Sequence, residues 1–221
     1  WDITNKLSMF ARIIIGKAHD LIGISKKSGS HLPNLSLMNT KEMKLVGVHN
    51  AENVMAAIAI AEAMRVPREI YLNTIKNFDA IEHRIEYVAT IKDVVYYNDS
   101  KGTNTDASKK ALEAMENKTV LIAGGYDKGS EYDDWVEAFG DKIKCLVLLG
   151  ATADKIEETA RRHGFTNIRR VKSLQEAVVT ASENADAGET VLLSPACASW
   201  DMFKSYEERG KLFKQYVKEL R

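Results

Sequence analysis

Apolar and polar positions along this chain fall into short β-type runs that alternate with helical stretches. Val94-Val95-Tyr96-Tyr97-Asn98 is β-branched and aromatic, stops at Asp99-Ser100-Lys101-Gly102-Thr103-Asn104, and then opens a helix. Thr119-Val120-Leu121-Ile122-Ala123 is a buried-type strand ending at Gly124-Gly125-Tyr126-Asp127-Lys128-Gly129. Thr190-Val191-Leu192-Leu193 is another, ending at Ser194-Pro195-Ala196-Cys197-Ala198-Ser199-Trp200-Asp201. Apolar strands alternating with helices predict an α/β fold, a mostly parallel sheet with helices on both faces. Ligands of such sheets bind beyond the carboxyl ends of the strands, so the three polar clusters are expected to converge on one edge.

Before Asp79 the signal is of another kind. Short apolar pieces at Ala11 to Ile15, Leu21 to Ile24 and Leu35 to Met38 read as strands of a partial sheet. Val54 to Ala61 carries no charge, which predicts a helix buried nearly all round. Pro67 at a first-turn position predicts a second helix running through Ile75. A boundary near Asp79 to Glu82 divides the chain into residues 1–80 and 81–221. Beyond it, Ile85 to Ile91 and Val94 to Asn98 form a hairpin across Lys92-Asp93. Ser173-Leu174-Gln175-Glu176 has capping-box spacing, with Leu174, Ala177, Val178 and Ala181 on one face. Phe203, Tyr206, Gly210, Phe213, Val217 and Leu220 form a stripe at helical spacing that packs on the sheet.

Composition narrows the function classes. The 221 residues are 45% hydrophobic and 28% charged, ordinary for a globular protein. Basic and acidic residues balance at 31 each, with no basic stripe, which argues against a nucleic-acid partner. Cys145 and Cys197 make neither a disulfide framework nor a metal spacing. Cys145 lies in an apolar run and is expected in the core. Cys197 has no adjacent base and reads as a small packing residue. No run is long enough to cross a membrane and no signal-peptide pattern is present, which favours the cytoplasm as the expected location. It begins at Trp1 in apparent mid-fold sequence and is expected to be a fragment. No G-x-G-x-x-G follows a strand, which weakens a dehydrogenase reading.

The polar clusters carry the chemistry. Asp99, Ser100, Lys101 and Thr103 offer an acceptor, two hydroxyls and a cation beside a helix N-terminus, where N–H groups favour anions. A decorated turn capped by Thr103 or Asn104 would use the same residues. Five landmarks occur in one order: Gly47-Val48-His49-Asn50-Ala51-Glu52-Asn53, Glu82-His83-Arg84, Asn98 to Asn104, Gly124 to Lys128, and Leu193 to Phe203. Together they resemble the Mur ligases over about residues 43 to 221. The last landmark is most similar to the branch of that family that adds D-glutamate.

The resemblance implies a Rossmann-like C-terminal domain for the incoming amino acid at 81–221, preceded at 1–80 by a remnant of an α/β ATPase domain. It implies an ATP-dependent ligase of peptidoglycan synthesis that joins D-glutamate to UDP-N-acetylmuramoyl-L-alanine through an acyl phosphate. Its cofactors would be ATP and Mg²⁺, and it would act as a cytoplasmic monomer. The P-loop pattern is absent, and Gly23-Ile24-Ser25-Lys26-Lys27-Ser28-Gly29 does not satisfy it. The family's metal ligands lie upstream as well, so no metal ligand is assigned and the chain alone is expected to lack ligase activity. Another Mur-type or folylpolyglutamate ligase, and a stand-alone nucleotide-binding module, stay open as alternatives.

By the same resemblance Asn50, Asn53, His83, Arg84 and Asp99 bind the nucleotide, with Asn53 for adenine, Asp99 for the ribose and Arg84 for the phosphates. Asn50 as a helix cap and His83 as a hinge residue are the plainer alternatives. Lys101 and Arg84 are the expected catalytic residues. Thr103 and Lys128, with Lys101, would hold one carboxylate of D-glutamate; Ser199 and backbone near Tyr206 would hold the other. Trp200 stands where leucine is common in the family, and Tyr206 where phenylalanine is usual.

Overall fold

Short antiparallel strands open the structure: β1 (Arg12–Ile15), β2 (Leu21–Ser25) and β3 (Leu35–Asn39) pair in that order. This is a computed structural model, and it describes residues 12–15, 21–25, 35–79 and 81–220. Trp1, residues 26–29 of the stretch that begins at Gly23, and Ala80 at the expected boundary lie outside the described residues. The chain divides into two compact units, residues 1–79 and 80–221.

In the first unit a single turn at Thr40–Glu42 is closed by a capping box between Asn39 and Glu42. Helices α1 (Val48–Ala63) and α2 (Arg68–Asn77) follow. Pro67 sits at the N-cap of α2, one position before the first turn, where its missing N–H is harmless. Met38, Ala51, Val54, Ile58, Tyr71 and Ile75 form the core of this unit. The expectation that α1 is buried nearly all round is corrected: Ala56, Ala57 and Ile60 are exposed. A run of alanines lacks charge on every side, so composition hides which face packs; the Ala51, Val54, Ile58 stripe is buried in the core, with Met55 and Ala61 partly buried against it.

The second unit is built on a six-stranded sheet in the order β4-β5-β9-β6-β7-β8. Its strands are β4 (Glu86–Ile91), β5 (Val94–Asn98), β6 (Thr119–Ala123), β7 (Ile143–Leu148), β8 (Ile168–Arg170) and β9 (Thr190–Leu193). The edge pair β4/β5 is antiparallel and the remaining pairs are parallel. Every residue of β6 and β9 is buried, which explains their lack of polar alternation. Lys92 and Asp93 form the hairpin turn in left-handed backbone, φ 50° and 61°, as the twist of a two-residue connection requires. Ile85 falls outside the strand predicted to begin there. Its φ of 47° is strained for a β-branched residue, and its N–H turns inward to Asp99.

Helices α3 (Thr105–Ala114), α4 (Asp133–Glu137), α5 (Ala153–Arg162), α6 (Leu174–Asn184) and α7 (Tyr206–Glu219) complete the unit. One face of the sheet, through Tyr96, Val120, Ile122, Val147 and Val191, packs on α6 and α7, with Phe213 and Val217 wholly buried. Leu121, Leu146, Leu148 and Leu192 alternate with those positions and are also buried. Ser173 caps α6 by accepting from the Glu176 N–H. The return bond of the box comes from Lys172 N–H to the Glu176 carboxylate, one residue earlier than the simple pattern. Asn104, not Thr103, caps α3 by accepting from the Ala107 N–H at 2.8 Å. Asn104→Ala is expected to lower stability by about 1 kcal/mol, read by urea unfolding; an unchanged midpoint would show that the cap is dispensable.

Candidate active site at the strand ends

Because β9 is inserted between β5 and β6, helices leave neighbouring strands toward opposite faces, and a crevice opens at their carboxyl ends. Four loops meet there. The Asp99 N–H donates to the Leu193 carbonyl at 2.7 Å, and Ser194 Oγ donates to Asp99 Oδ2 at 2.7 Å. Gly124 N–H donates to Pro195 O and Tyr126 N–H to Ala198 O, each at 2.9 Å. Thr152 and Gly125 exchange bonds near 3.0 Å, and Ala151 N–H donates to Asp201 Oδ2. Two glycines permit this closeness. A Cβ on Gly125 would run into the Ala198 carbonyl, and one on Gly102 into the carboxylate of Asp99.

Arg209 of α7 locks the loops from beneath. It is 2% exposed, and its guanidinium donates to Ser100 Oγ, Ser100 O, Cys197 O and Ala198 O at 2.8 to 3.3 Å. Ser100 Oγ in turn donates to the Tyr206 carbonyl at 2.7 Å. Burial pulls the guanidinium down to about 10, with the Cys197, Asp201 and Asp99 side chains acting the other way; it stays charged at neutral pH. A second buried chain runs from Trp135 Nε1–H to Ser108 Oγ at 2.9 Å, and from Ser108 to the Ser194 carbonyl. Cys197 is a packing residue as expected, with its thiol against Thr152 and Tyr132 and raised by burial.

Of the expected site residues, Asp99, Lys101, Thr103, Lys128, Ser199 and Tyr206 all lie on these converging loops or the start of α7. Lys101 and Lys128 are exposed and Thr103 is half-buried. Lys101 Nζ stands 5.9 Å from the centroid of the Tyr206 ring, and Lys128 Nζ 4.9 Å from that of Trp200. Ser199 is 2% exposed, and its carbonyl accepts from the Met202 and Phe203 N–H groups, closing the turn that presents Trp200. Arg84 is exposed between two left-handed residues, His83 and Ile85.

Asp99 is only 4% exposed, and its two oxygens accept from Ser194 Oγ and the Ile85 N–H. Burial pushes its carboxyl up to about 7, against the Ser194 and Ile85 bonds and the charges of Arg84 and Arg209. A ribose hydroxyl would have to use the lone pairs those donors leave. His83 is 2% exposed, bonded through Nδ1 to Asn98 and packed edge-on against Tyr206 over Gly210. That enclosure leaves its ring no open face for a nucleotide. Asn50 and Asn53 belong to α1 of the first unit. Asn50 Nδ2 donates to the Val46 carbonyl there, and Asn53 is exposed.

Arg209, Ser194 and Ser108 were not anticipated. Arg209 had a visible signal, a cation inside the apolar stripe of the last helix. Ser108 and Ser194 are hydroxyls in otherwise apolar surroundings, a pattern too common to single out. Among the described residues no group of three His, Cys, Asp or Glu side chains could hold a metal, and no helix is long and apolar enough to cross a membrane.

Residues 83–197 match the family model for the Mur ligase glutamate ligase domain. A UDP-N-acetylmuramoylalanine–D-glutamate ligase of Lachnoclostridium phytofermentans is 57% identical over 183 residues, which cover 83% of this chain and 40% of the relative. The enzyme of that name from Thermoanaerobacter sp. strain X514 is 51% identical over 187 residues, 84% of this chain and 41% of the relative. The chain thus spans about two-fifths of the length of these curated relatives. Among solved structures, the UDP-N-acetylmuramate–alanine ligase of Thermotoga maritima superposes with a TM-score of 0.64 at 16% identity, covering 91% of this chain and 44% of that one. The folylpolyglutamate synthase of Mycobacterium tuberculosis in complex with ADP gives 0.61 at 13% identity, covering 93% and 46%. These two likenesses speak for the fold, a mostly parallel sheet with helices on both faces. With the family model matching more than half of its length at the strand ends just described, this chain belongs to the Mur ligase family.

Proposed function

We propose that this chain is the C-terminal part of an ATP-dependent amide ligase that adds D-glutamate to UDP-N-acetylmuramoyl-L-alanine in peptidoglycan synthesis. Residues 80–221 receive the amino acid, and residues 1–79 contribute part of the ATP domain, with Asn50 and Asn53 beside the nucleotide. The enzyme works as a monomer in the cytoplasm. The observation that carries this reading is the pair of exposed ammonium groups, Lys101 and Lys128, on the loops that follow β5 and β6, the two strands flanking β9. A dicarboxylic amino acid needs cations held apart from carboxylates of the protein, and this edge supplies them. The name shared by the curated relatives agrees with that chemistry.

A carboxylate does not acylate an amine in water. In the proposed reaction a carboxylate oxygen of the UDP-linked substrate attacks the γ-phosphorus of ATP, and ADP leaves. The D-glutamate nitrogen attacks the resulting acyl carbon, loses a proton, and inorganic phosphate departs as the amide forms. Mg²⁺ would neutralise phosphate charge in this reaction, and no metal ligand is assigned to this chain. The work of this chain is positioning and charge stabilisation. Lys128 and Thr103, with Lys101, hold one carboxylate of D-glutamate, and the Ser199 turn with the backbone near Tyr206 meets the other. Arg84 and Lys101 face the transferring phosphoryl group, while Asp99 and His83 set the loop that carries Arg84.

A charge-assisted hydrogen bond contributes about 1.5–3 kcal/mol. In the full-length ligase carrying this chain, Lys128→Ala is therefore expected to raise the D-glutamate KM at least about tenfold. An unchanged KM removes Lys128 from the amino-acid site. A panel of amino acids tests the substrate: turnover with L-alanine or meso-diaminopimelate in place of D-glutamate would overturn the assignment.

A further inference from the structure

Trp200 is the most exposed large aromatic side chain of the second unit, at 63%, and its position is not accidental. The turn that bears it is fastened at three points: Ser199 O accepts from Met202 and Phe203, Asp201 accepts from Ala151 N–H, and Ala198 O accepts from Tyr126 N–H. The Tyr126 ring lies 5.7 Å from the indole, tilted by 56°, and braces one side. Lys128 approaches from an equally fixed loop, where the Asp127 carboxylate accepts from the Gly129 N–H at 2.7 Å. Its ammonium stands 4.9 Å from the indole centroid, inside the range of a cation–π contact. Among the described residues it makes no salt bridge.

We propose that Trp200 is a positioning residue that holds the Lys128 ammonium over its ring, ready for a carboxylate of the incoming amino acid. The proposal rests on the preceding reading that Lys128 binds that carboxylate. The physical logic is that an aromatic face orients a cation without neutralising it. A carboxylate partner would fix Lys128 equally well but would compete with the substrate. An indole engages the ammonium through its quadrupole and leaves N–H donors pointing outward for an anion. Flexible lysine stems lose rotamer freedom on binding, and part of that loss is already taken before the amino acid arrives.

In the full-length ligase, Trp200→Ala is expected to raise the D-glutamate KM about three- to fivefold, with kcat and the ATP KM changed by less than about twofold. Trp200→Phe should recover at least half of the loss, and the double variant with Lys128→Ala should be no worse than Lys128→Ala alone. Emission offers a direct readout. D-glutamate should shift the fluorescence of the exposed indole, and Trp200→Phe should abolish the shift although Trp1 and the buried Trp135 remain. A D-glutamate KM unmoved by Trp200→Ala, or an equal rise in both substrates' KM, overturns the proposal. If Lys128→Ala raises the KM and Trp200→Ala does not, the positioning role alone fails; if Lys128→Ala has no effect, the functional reading falls with it.

Discussion

Replacing Arg209 with methionine is expected to destabilise the 80–221 unit by about 3–5 kcal/mol, an effect at the upper end for a point change. Methionine fills much of the volume but donates nothing. The carbonyls of Ser100 and Cys197 would lose their guanidinium partner inside the protein, and Ser100 Oγ would lose a donor. Each buried acceptor left unsatisfied costs about 1–3 kcal/mol. Arg209→Lys should recover only part of the loss, because a single ammonium cannot span acceptors on two loops as a planar fork does. Urea unfolding followed by far-UV circular dichroism measures both variants. A methionine variant within about 1 kcal/mol of the parent would show that the network is decoration.

That network also marks the limit of what the chain's pattern discloses. The strands β5, β6 and β9 were legible because each is an apolar run closed by a polar cluster; β6 and β9 are buried on both faces, which forces that composition, and β5 alternates buried with half-buried residues. Convergence of Asp99, Lys128 and Ser199 followed from the rule that parallel strands all end on one edge. The insertion of β9 between β5 and β6 was not legible, since strand order depends on contacts such as Val95 with Thr190, far apart along the chain, and leaves no local trace.

Burial of individual polar groups was equally hidden. Asp99 was expected to meet a ribose, yet it is buried, with the Ile85 N–H and Ser194 Oγ–H both donating to it. Nothing in the string Asn98-Asp99-Ser100 separates an exposed carboxylate from a buried one. His83 is a like case: its ring is enclosed by Asn98 and by Gly210 and Tyr206 of the last helix, far away along the chain. The charge-free run Val54 to Ala61 of α1 misled in the opposite sense, because small side chains look apolar whether or not they are covered. Local periodicity reports which elements form; long-range partners decide which face of each one is dry.

Asp99 gives the second large expected effect, a stability that declines as pH rises. Its carboxyl titrates near 7 in the folded chain against an ordinary value of 3.8. The fold therefore holds this proton more tightly than the unfolded chain does. Its contribution is fullest below about pH 4 and is lost progressively as pH climbs through 7, by an amount on the order of 4 kcal/mol at most. The proton has a place to sit. Protonated at Oδ2, the carboxyl can donate to Ser194 Oγ, whose own hydrogen then turns to Ser108 Oγ, 2.9 Å away. Asn mimics that state, with Nδ2 donating to Ser194 Oγ and Oδ1 still accepting from the Ile85 N–H. Asp99→Asn is thus expected to unfold at higher urea than the parent at pH 8, with the gap narrowing toward pH 5. Subtracting the two profiles cancels the other titrating groups and isolates Asp99. Parallel profiles, with a constant gap from pH 5 to pH 8, would show that the carboxylate is already ionised and solvated at the crevice, free to meet a ribose. A narrowing gap would instead show that the folded chain holds the Asp99 proton more tightly than the unfolded chain does.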